Sequence, residues 1–334
     1  MVLKEGVSEP LLAAIGERLA RGEQSLVFLN RRGYAPVLAC MACGWVSRCT
    51  RCAANLVLHL ADRRLRCHHC GFERGVPKAC PTCGNQDIHP FGRGTQRLEA
   101  WLQECFPAAR IVRVDRDSVK SRRQWETMLA RIHGGDAEIL VGTQMMAKGH
   151  DFPRLTLVGV LGADAALFAA DWRAPERLFA QLMQVAGRAG RAELRGDVLI
   201  QTQYPEHPLY AALTRHDYPG FAATLLAERE AAGFPPYAFQ AMLRAEAPAM
   251  ADAIAFLATA RALPVVRDSA QVVLYDPVPM KLSRLASRER GQLLAESVSR
   301  PAMQAFLPRW REAIEGIKAP SWLRWHLEVD PLEF

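Results

Sequence analysis

Apolar residues along most of this chain alternate between helical spacing and short continuous runs. Near the start, SEPLLAAIGERLARG has helical spacing with Ser8 as a candidate N-cap, and SLVFLN has the pattern of a buried strand. The alternation resumes at residue 95, with helices predicted over 95–106, 118–135 and about 175–185, and strands over 110–115, 138–143, 155–164 and 197–203. Because strands that are apolar throughout need cover on both faces, this pattern predicts a parallel sheet between two layers of helices.

Eight of the nine cysteines interrupt this alternation. They form four C-x-x-C pairs, Cys40/Cys43, Cys49/Cys52, Cys67/Cys70 and Cys80/Cys83, and three of the pairs are followed by glycine. Two thiolates on one tight turn supply half of a tetrahedral metal site, and glycine lets the turn fold back toward the sulfurs. Because the sequence shows no signal peptide, we predict two structural zinc sites of four cysteines each rather than disulfides, with iron–sulfur clusters as the alternative.

The segment between the second and third pairs indicates which cysteines share an ion. NLVLHL, after Cys52, alternates apolar and polar positions, and ADRR, before Cys67, can form a turn. A hairpin here joins the second and third pairs and leaves the first and fourth to close outside them. This nested arrangement assigns one ion to Cys49, Cys52, Cys67 and Cys70 and the other to Cys40, Cys43, Cys80 and Cys83; a cross-braced pairing is the alternative.

Other candidate ligands near these pairs are interpreted as structural residues. We expect His59, His68, His69 and His89 on the surface, since eight thiolates already fill two sites. Cys105 ends the apolar helix LEAWLQECF and is expected in the core. A module this small would not fold without metal, so the zinc is expected to be structural rather than catalytic.

Positive charge is concentrated in the same segment. The 334 residues include 42 Lys and Arg against 35 Asp and Glu, a net charge of +7. Residues 31–83 contain nine basic and two acidic side chains, so this segment holds the whole excess. Such a concentration suits a polyanion such as nucleic acid, with a solvated basic surface as the alternative.

Composition excludes a disordered chain and a membrane protein. Half of the residues are apolar and 23% are charged, an ordinary balance for a globular protein. Apolar runs such as Leu155–Ala163, with nine residues, are well short of the about 20 residues that a membrane helix needs. Without an apolar leader segment, the chain is expected in the cytoplasm.

Two segments of the predicted sheet carry candidate phosphate contacts. Gly142 and Thr143 end one strand and offer backbone N–H and hydroxyl donors, while QLMQVAGRAGR places Arg188 and Arg191 at the end of a helix. Either arginine alone could serve only to cap the helix dipole. Because ligands bind at the carboxyl ends of parallel strands, we expect these residues at that edge of the sheet.

These segments carry a resemblance to a known family. QVAGRAGR resembles motif VI of superfamily-two helicases, and VGTQMMAKGHDFP resembles motif V, in the order expected for a RecA-like second lobe. Four C-x-x-C pairs inserted after LVFLNRRGYAP resemble the PriA family of primosomal replication-restart helicases, from about Leu11 to Phe334. The resemblance implies a RecA-like helicase C-terminal lobe with an inserted two-zinc module, and it also implies the nested cysteine pairing.

The resemblance implies that two RecA-like lobes clamp ATP and Mg²⁺ and move along one DNA strand in the 3′-to-5′ direction. It assigns Arg188 and Arg191 to the ATP phosphates with Gln184 nearby, and it assigns the coupling between DNA and nucleotide to Gly142, Thr143 and Asp151. Expected partners are forked and single-stranded DNA, the tail of single-strand-binding protein, primosome proteins and the replicative helicase loader. The function so implied is replication restart: recognition of forks and D-loops, unwinding and helicase loading near the nucleoid.

The sequence contains no phosphate-binding loop of the form G-x-x-x-x-G-K-[ST] and no D-E-x-H motif. The chain therefore resembles the C-terminal half of a family member, and we expect that it does not hydrolyse ATP alone. A non-enzymatic, zinc-dependent DNA- and partner-binding fragment is the alternative. A metal-binding redox protein or transcription ribbon is a third interpretation, which motifs V and VI disfavour.

The pattern changes again after FPPY, residues 234–237. A β-α-β-β-α-β order follows, which predicts a small α+β domain with Trp310, Trp322 and Trp325 in its core. The resemblance implies that this domain binds the acidic tail of single-strand-binding protein, with Arg284, Arg288, Arg290 and Gln292 as candidates, and a solvated basic face as the alternative. We therefore predict three domains: residues 1–39 with 84–233 (a helical extension beginning near 206), 40–83, and 238–334.

Overall fold

The computed structural model describes residues 3–4, 6–30, 37–40, 42–59, 63–67, 70–91, 95–115, 118–119, 121–143, 146, 152–169, 171–190 and 195–333. The chain divides into two compact units, one of residues 1–36 and 92–223 and the other of residues 37–91 and 224–334. The cysteine-rich insertion and the C-terminal region thus belong to the same unit. The three-domain division remains a prediction.

The first unit opens with two short antiparallel strands that the sequence prediction lacks, followed by the predicted helix and buried strand. They are β1 (Leu3–Lys4), β2 (Val7–Ser8), α1 (Glu9–Ala20) and β3 (Gln24–Leu29). The Ser8 side chain accepts a hydrogen bond from the Leu11 N–H at 3.4 Å, which satisfies one of the donors that a helix start leaves unpaired. The N-cap, the helix and the buried strand are therefore confirmed.

Five short strands follow β3 in the chain and lie in the second unit. They are β4 (Val37–Cys40), β5 (Val57–His59), β6 (Arg64–Arg66), β7 (Glu73–Gly75) and β8 (Ile88–Phe91). β4 pairs with β8, while β5, β6 and β7 form a three-stranded antiparallel sheet, which confirms the hairpin predicted between Cys52 and Cys67. The core of this module consists of Leu38, Leu56, Leu58 and Leu65 with three of the cysteines.

The rest of the first unit completes a parallel sheet. Its elements are α2 (Thr95–Cys105), β9 (Ile111–Val114), α3 (Arg122–His133), β10 (Ile139–Gly142), β11 (Leu155–Leu161), α4 (Ala163–Leu167), α5 (Ala174–Ala186) and β12 (Asp197–Ile200). The strand order is β12-β11-β3-β10-β9, and every neighbouring pair is parallel, as predicted. α1 packs so closely on β11 that a Cβ at Gly159 would lie 2.6 Å from Leu11 Cδ1.

Several element boundaries differ from the sequence prediction. The strand predicted to reach residue 164 ends at Leu161, because Gly162 adopts a left-handed φ of 72° and α4 begins there. α3 begins at Arg122, since Ser121 caps it by accepting from the Gln124 N–H. Cys105, expected in the core, is exposed because Leu98 and Leu102 form the buried stripe of α2.

A helical stretch predicted after β12 is two helices, α6 (Pro208–Thr214) and α7 (Tyr218–Ala232). His216, between them, has a left-handed φ of 54° that no helix can contain. Within the described residues, no helix has the length and apolar character needed to cross a bilayer.

The C-terminal region has the predicted mixture of helices and antiparallel strands. Its elements are β13 (Phe239–Ala247), α8 (Met250–Arg261), α9 (Pro264–Arg267), β14 (Val273–Leu274), β15 (Val278–Leu285), β16 (Arg288–Ser297), α10 (Arg300–Glu315) and β17 (Arg324–Val329). The sheet order is β14-β16-β13-β17, with β15 also paired to β16. β15 is absent from the sequence prediction because its pairing is irregular between Pro279 and Arg284.

The three tryptophans of this region have different environments. Trp310 is fully buried and its indole N–H donates to the Ala260 carbonyl at 3.0 Å. Trp325 is partly buried against the same core, as expected. Trp322 is 41% exposed, so its expected core position is wrong: it lies in the turn before β17, outside the packed face.

Candidate zinc centres and helicase-motif residues

The structure gathers the eight paired cysteines into two sets. The outer zinc site contains Cys40, Cys43, Cys80 and Cys83, and the inner zinc site contains Cys49, Cys52, Cys67 and Cys70. Within each set the sulfur atoms all lie within 4.8 Å of one another. This is the nested grouping that the hairpin predicts, not the cross-braced one.

Strand pairing brings the two halves of each site together. Cys40 is the last residue of β4 and pairs with Ile88 of β8, which places the first and fourth cysteine pairs side by side. The β5–β6 hairpin does the same for the second and third pairs, which precede and follow it. Each site therefore takes one cysteine pair from each strand of an antiparallel pairing, both at the same end.

Three of the pairs lie on turns closed by the same hydrogen bonds. In the first pair, the Gly44 N–H donates to the Cys40 carbonyl at 2.9 Å, and the Cys40 N–H donates to the Trp45 carbonyl at 2.8 Å. Equivalent bonds close the third and fourth turns, whose glycines are Gly71 and Gly84. The three glycines have φ values of 72–74°, the left-handed region that other residues rarely adopt.

Sulfur separations within each set fit a tetrahedral metal site. Cys40 Sγ lies 3.6 Å from Cys83 Sγ, and Cys49 Sγ lies 3.7 Å from Cys70 Sγ. Four sulfurs about 2.3 Å from a zinc ion are about 3.8 Å apart, which these values match. A disulfide would need about 2.05 Å, and all of these cysteines are free thiols. The residues therefore fit two zinc ions that hold the turns together.

The thiols of the inner site have unequal proton affinities. Burial raises the pKa of Cys52 to about 12. Burial also opposes ionisation of Cys70, but the Phe72 N–H and the neighbouring thiols lower the pKa of Cys70 to about 7. Because zinc binds thiolates, metal binding near neutral pH must release protons, above all from Cys52.

Of the four histidines expected on the surface, the structure describes the side chain of His59 alone, and it is buried. His59 lies in β5 and is 8% exposed, so the expected surface position is wrong for it: pairing of β5 with β6 leaves this residue buried. His68, His69 and the side chain of His89 lie outside the described residues. None of the four joins a cysteine set among the residues that the structure describes.

Basic side chains of the insertion surround an open cavity next to the outer site. The cavity measures about 300 Å³ and is lined by Gly44, Trp45, Val46, Arg48 and Arg74. Glu73 pairs with Arg64 at 3.4 Å and with Arg66 at 2.8 Å, whereas no ion pair within the described chain holds Arg48 or Arg74. Two guanidinium groups beside an indole can bind a phosphate and stack on a base.

The residues resembling motif V lie at the carboxyl end of β10, as expected. Gly142 ends the strand, and a Cβ there would lie 2.5 Å from Met146 Cγ, so a larger residue would displace the Met146 side chain. Thr143 follows and is half-buried, and its carbonyl accepts from the Met146 N–H at 2.9 Å. Asp151 lies outside the described residues.

The residues resembling motif VI lie at the opposite edge of the sheet, which corrects the expectation that they share the carboxyl edge. The Gly190 N–H donates at 2.9 Å to the carbonyl of Leu155, the first residue of β11. The reason is the crossover: α5 returns from the carboxyl end of β11 toward the amino edge of the sheet. Gln184 is exposed and Arg188 is half-buried there, while Arg191 lies outside the described residues.

The C-terminal candidates are engaged within the protein. Arg288 Nη2 donates to the Glu246 carbonyl at 2.8 Å and also to the Trp322 carbonyl. Arg290 Nε lies 3.0 Å from Glu246 Oε1. Arg284 Nε is 3.9 Å from Glu289. Gln292 is half-buried, and its side-chain oxygen has no hydrogen bond within the described chain.

Sequence reasoning missed one contact of the inner site. The backbone N–H of Ala286, between β15 and β16, donates to Cys52 Sγ at 3.3 Å. The only signal in the sequence is negative: the pair Cys49/Cys52 is followed by Ala53, where the other three pairs have glycine.

Comparisons with known proteins cover almost the whole chain. Family profiles match the PriA DNA helicase Cys-rich region (CRR) domain over residues 49–74, the helicase conserved C-terminal domain over 84–193 and the primosomal protein N C-terminal domain over 230–332. Replication restart protein PriA of Haemophilus influenzae is 40% identical over 98% of this chain and 45% of its own length. That of Bacillus subtilis is 38% identical over 90% of this chain and 38% of its own length.

The same protein of Synechocystis sp. is 38% identical over 99% of this chain and 40% of its own length. The chain therefore spans less than half the length of these three curated relatives. Among solved structures, the Pyrococcus furiosus Hef helicase domain is 16% identical, covering 61% of this chain and 27% of that chain with a TM-score of 0.30, a likeness too low to bear on function.

We expect metal analysis of the purified chain to find two zinc ions. Cys43→Ser and Cys70→Ser should each keep one, because each removes a ligand from a different site. Cys105→Ser is the matched control and should keep both ions, since this cysteine belongs to neither set. About one zinc ion in the unchanged chain would contradict the two-site interpretation.

Zinc affinity should rise with pH. The raised pKa of Cys52 means that its proton must leave on binding, so lowering the pH from about 8 to about 6 should weaken zinc retention. Competition against a chelator of known pH dependence measures this. Retention that stays constant after correction for the chelator would show that the thiols are ionised before metal binds.

Proposed function

The chain belongs to the PriA family of replication restart proteins, and from this membership we propose that it acts in the restart of DNA replication at stalled or collapsed forks. The observation that carries the proposal is the 40% identity to a replication restart protein over 98% of the chain. Recognition of forked DNA and D-loops, 3′-to-5′ unwinding and primosome assembly with helicase loading are the proposed activities of the longer protein. The chain would act in the cytoplasm, associated with the nucleoid.

In this proposal the parallel sheet is the second RecA-like lobe of an ATP-dependent helicase. Arg188 and Arg191 would contact the phosphates of ATP bound with Mg²⁺, with Gln184 nearby. Support comes from the position of Arg188, which is half-buried and lies two residues before Gly190, whose N–H donates to the carbonyl of the first residue of β11. The phosphate-binding loop would come from a first lobe, because this sequence contains none.

The segment from Gly142 to Asp151 is proposed to couple DNA to the nucleotide. It begins at the carboxyl end of β10 and lies between β10 and β11 in the sequence. Thr143 at the carboxyl edge would contact a DNA phosphate, and Asp151 would respond to the nucleotide. A shift at either end would then be passed along the same short segment.

The zinc insertion is proposed to bind DNA beside the fork. Arg48 and Arg74 would bind backbone phosphates through their planar guanidinium groups, and Trp45 would stack on a base. Their shared cavity and the absence of an ion pair on either arginine within the described chain support this role.

The C-terminal domain is proposed to bind the acidic tail of single-strand-binding protein through Arg288 and Gln292, beside contacts to primosome proteins and the helicase loader. Arg288 already donates to two backbone carbonyls, so a tail carboxylate would use its remaining N–H groups. The unpaired oxygen of Gln292 would accept a backbone N–H of the same peptide. Glu246 competes for both neighbouring arginines and would favour tails that bring more than one carboxylate.

We expect the zinc-loaded chain alone to show no ATP hydrolysis, with or without forked DNA, because half of a helicase nucleotide site is missing from its sequence. Phosphate release measures this, and the non-enzymatic binding fragment is then the state of the isolated chain. DNA-stimulated turnover that Arg188→Ala abolishes would contradict the expectation and reveal a complete nucleotide site.

Binding to forked DNA should weaken with salt, and the double variant Arg48→Ala/Arg74→Ala should lower the slope of log Kd against log salt by about 2. The control Arg122→Ala/Arg311→Ala removes the same charge from side chains that are 91% and 67% exposed and that, among the described residues, form ion pairs within their own helices. Fluorescence anisotropy at several salt concentrations gives both slopes. Equal slopes for the two double variants would show that the cavity does not contact DNA.

A further inference from the structure

The second cysteine pair, Cys49/Cys52, lies on a turn that differs from the other three. Its Cys49 N–H donates to the Ala54 carbonyl at 2.9 Å, as in the other turns. The next residue after the pair is Ala53 instead of glycine, and Ala53 is not among the described residues with a positive φ. Its N–H donates to the Arg284 carbonyl at 2.9 Å, where the three glycines donate to the first cysteine of their own pair.

The β15–β16 hairpin supplies the N–H donor to Cys52 and the carbonyl acceptor for the Ala53 N–H. Leu285 pairs with Arg288, so Ala286 and Ser287 form a two-residue connection with φ values of 49° and 65°. Two consecutive left-handed residues are the signature of a type I′ turn, which is usually built from Asn-Gly. Here the turn directs the Ala286 N–H at Cys52 Sγ, 3.3 Å away, and the Ser287 N–H at the Arg51 carbonyl, 2.7 Å away.

A comparison of the four turns defines the role of this contact. Cys43, Cys70 and Cys83 each accept a hydrogen bond from the N–H two residues further along their own turn. Cys52 accepts instead from the backbone N–H of Ala286, which lies 234 residues further along the sequence. Leu285, beside it, packs against the apolar cluster of the zinc module.

We propose that the tip of this hairpin, residues 284–287, is a structural part of the inner zinc site. The Ala286 N–H stabilises the Cys52 thiolate and positions it for the metal, as the turn's own backbone does for the second cysteine of the other pairs. The inner site is therefore shared between the zinc insertion and the C-terminal domain. This inference concerns the chain's own metal site and does not rest on the proposed function.

The shared site makes metal binding and hairpin docking interdependent. If the hairpin stabilises the metal-bound inner site, the metal must stabilise the docked hairpin by the same factor. The outer site has no contact with the hairpin among the described hydrogen bonds. Its zinc affinity should therefore depend neither on hairpin docking nor on the inner zinc ion.

The rate of zinc release to a chelator tests the first half of this relation in the full chain. Ala286→Pro removes the N–H donor and cannot adopt the left-handed φ. It should speed release from the inner site by about tenfold to a hundredfold and leave the outer site unchanged. Cys70→Ser and Cys43→Ser, each with one remaining site, assign the two kinetic phases.

Two further variants separate the hydrogen bond from general damage to the hairpin. Ala286→Asn with Ser287→Gly keeps both N–H groups in a favoured type I′ turn and should release zinc as slowly as the unchanged chain. Ala53→Gly, added to Ala286→Pro, lets the second turn fold like the other three and should restore part of the retention. Unchanged inner-site release in Ala286→Pro, or equal acceleration of both sites, would overturn the proposal.

Hydrogen exchange tests the reverse direction and does not depend on the proline variant folding. Loss of the inner zinc ion in Cys70→Ser should deprotect the amides of Ala53, Ala286 and Ser287, while those of the β13–β16 ladder stay protected. Cys43→Ser is the matched control. Hairpin amides that exchange equally with and without the inner ion would contradict the interdependence.

Discussion

The zinc insertion depends on sulfur–metal geometry more than on apolar burial. Among the described residues, its buried apolar core consists of four leucines and three cysteines, which is too little to order some 50 residues. Four sulfurs about 3.8 Å apart require the cysteine-bearing ends of two strands to lie side by side, as antiparallel pairing places them. The pairings of β4 with β8 and of β5 with β6 are therefore consequences of the metal sites as much as supports for them.

The polarity of the parallel sheet determines where the remaining functional residues lie. A strand that ends in Gly142 presents its turn at the carboxyl edge, whereas a helix that crosses back delivers Arg188 to the amino edge. The two motifs are close in sequence, yet the sheet places them at opposite edges. A segment that links DNA to nucleotide would then have to connect the two edges of the sheet.

Local patterns in the sequence predict most of this architecture. The buried strands, the Ser8 cap and the nested cysteines follow from spacing and hairpin chemistry over a few residues. The edge occupied by Arg188 depends on the direction of a crossover helix, and the pairing of β15 depends on an irregular register near Pro279. Those features are set by tertiary contacts, which no local pattern contains.

The hairpin at Ala286 shows how a local rule can be broken for a tertiary reason. Left-handed backbone costs an alanine or a serine on the order of 1 kcal/mol, and Asn-Gly would form the same turn with less strain. The turn gains three backbone hydrogen bonds to the inner zinc site, through Ala286, Ser287 and the Arg284 carbonyl. A hydrogen bond to a thiolate contributes more than one between neutral groups, so these contacts offset the strain. The unfavourable turn and the missing glycine after Cys52 are thus two parts of one arrangement, in which the C-terminal domain completes a site that the zinc insertion cannot complete alone.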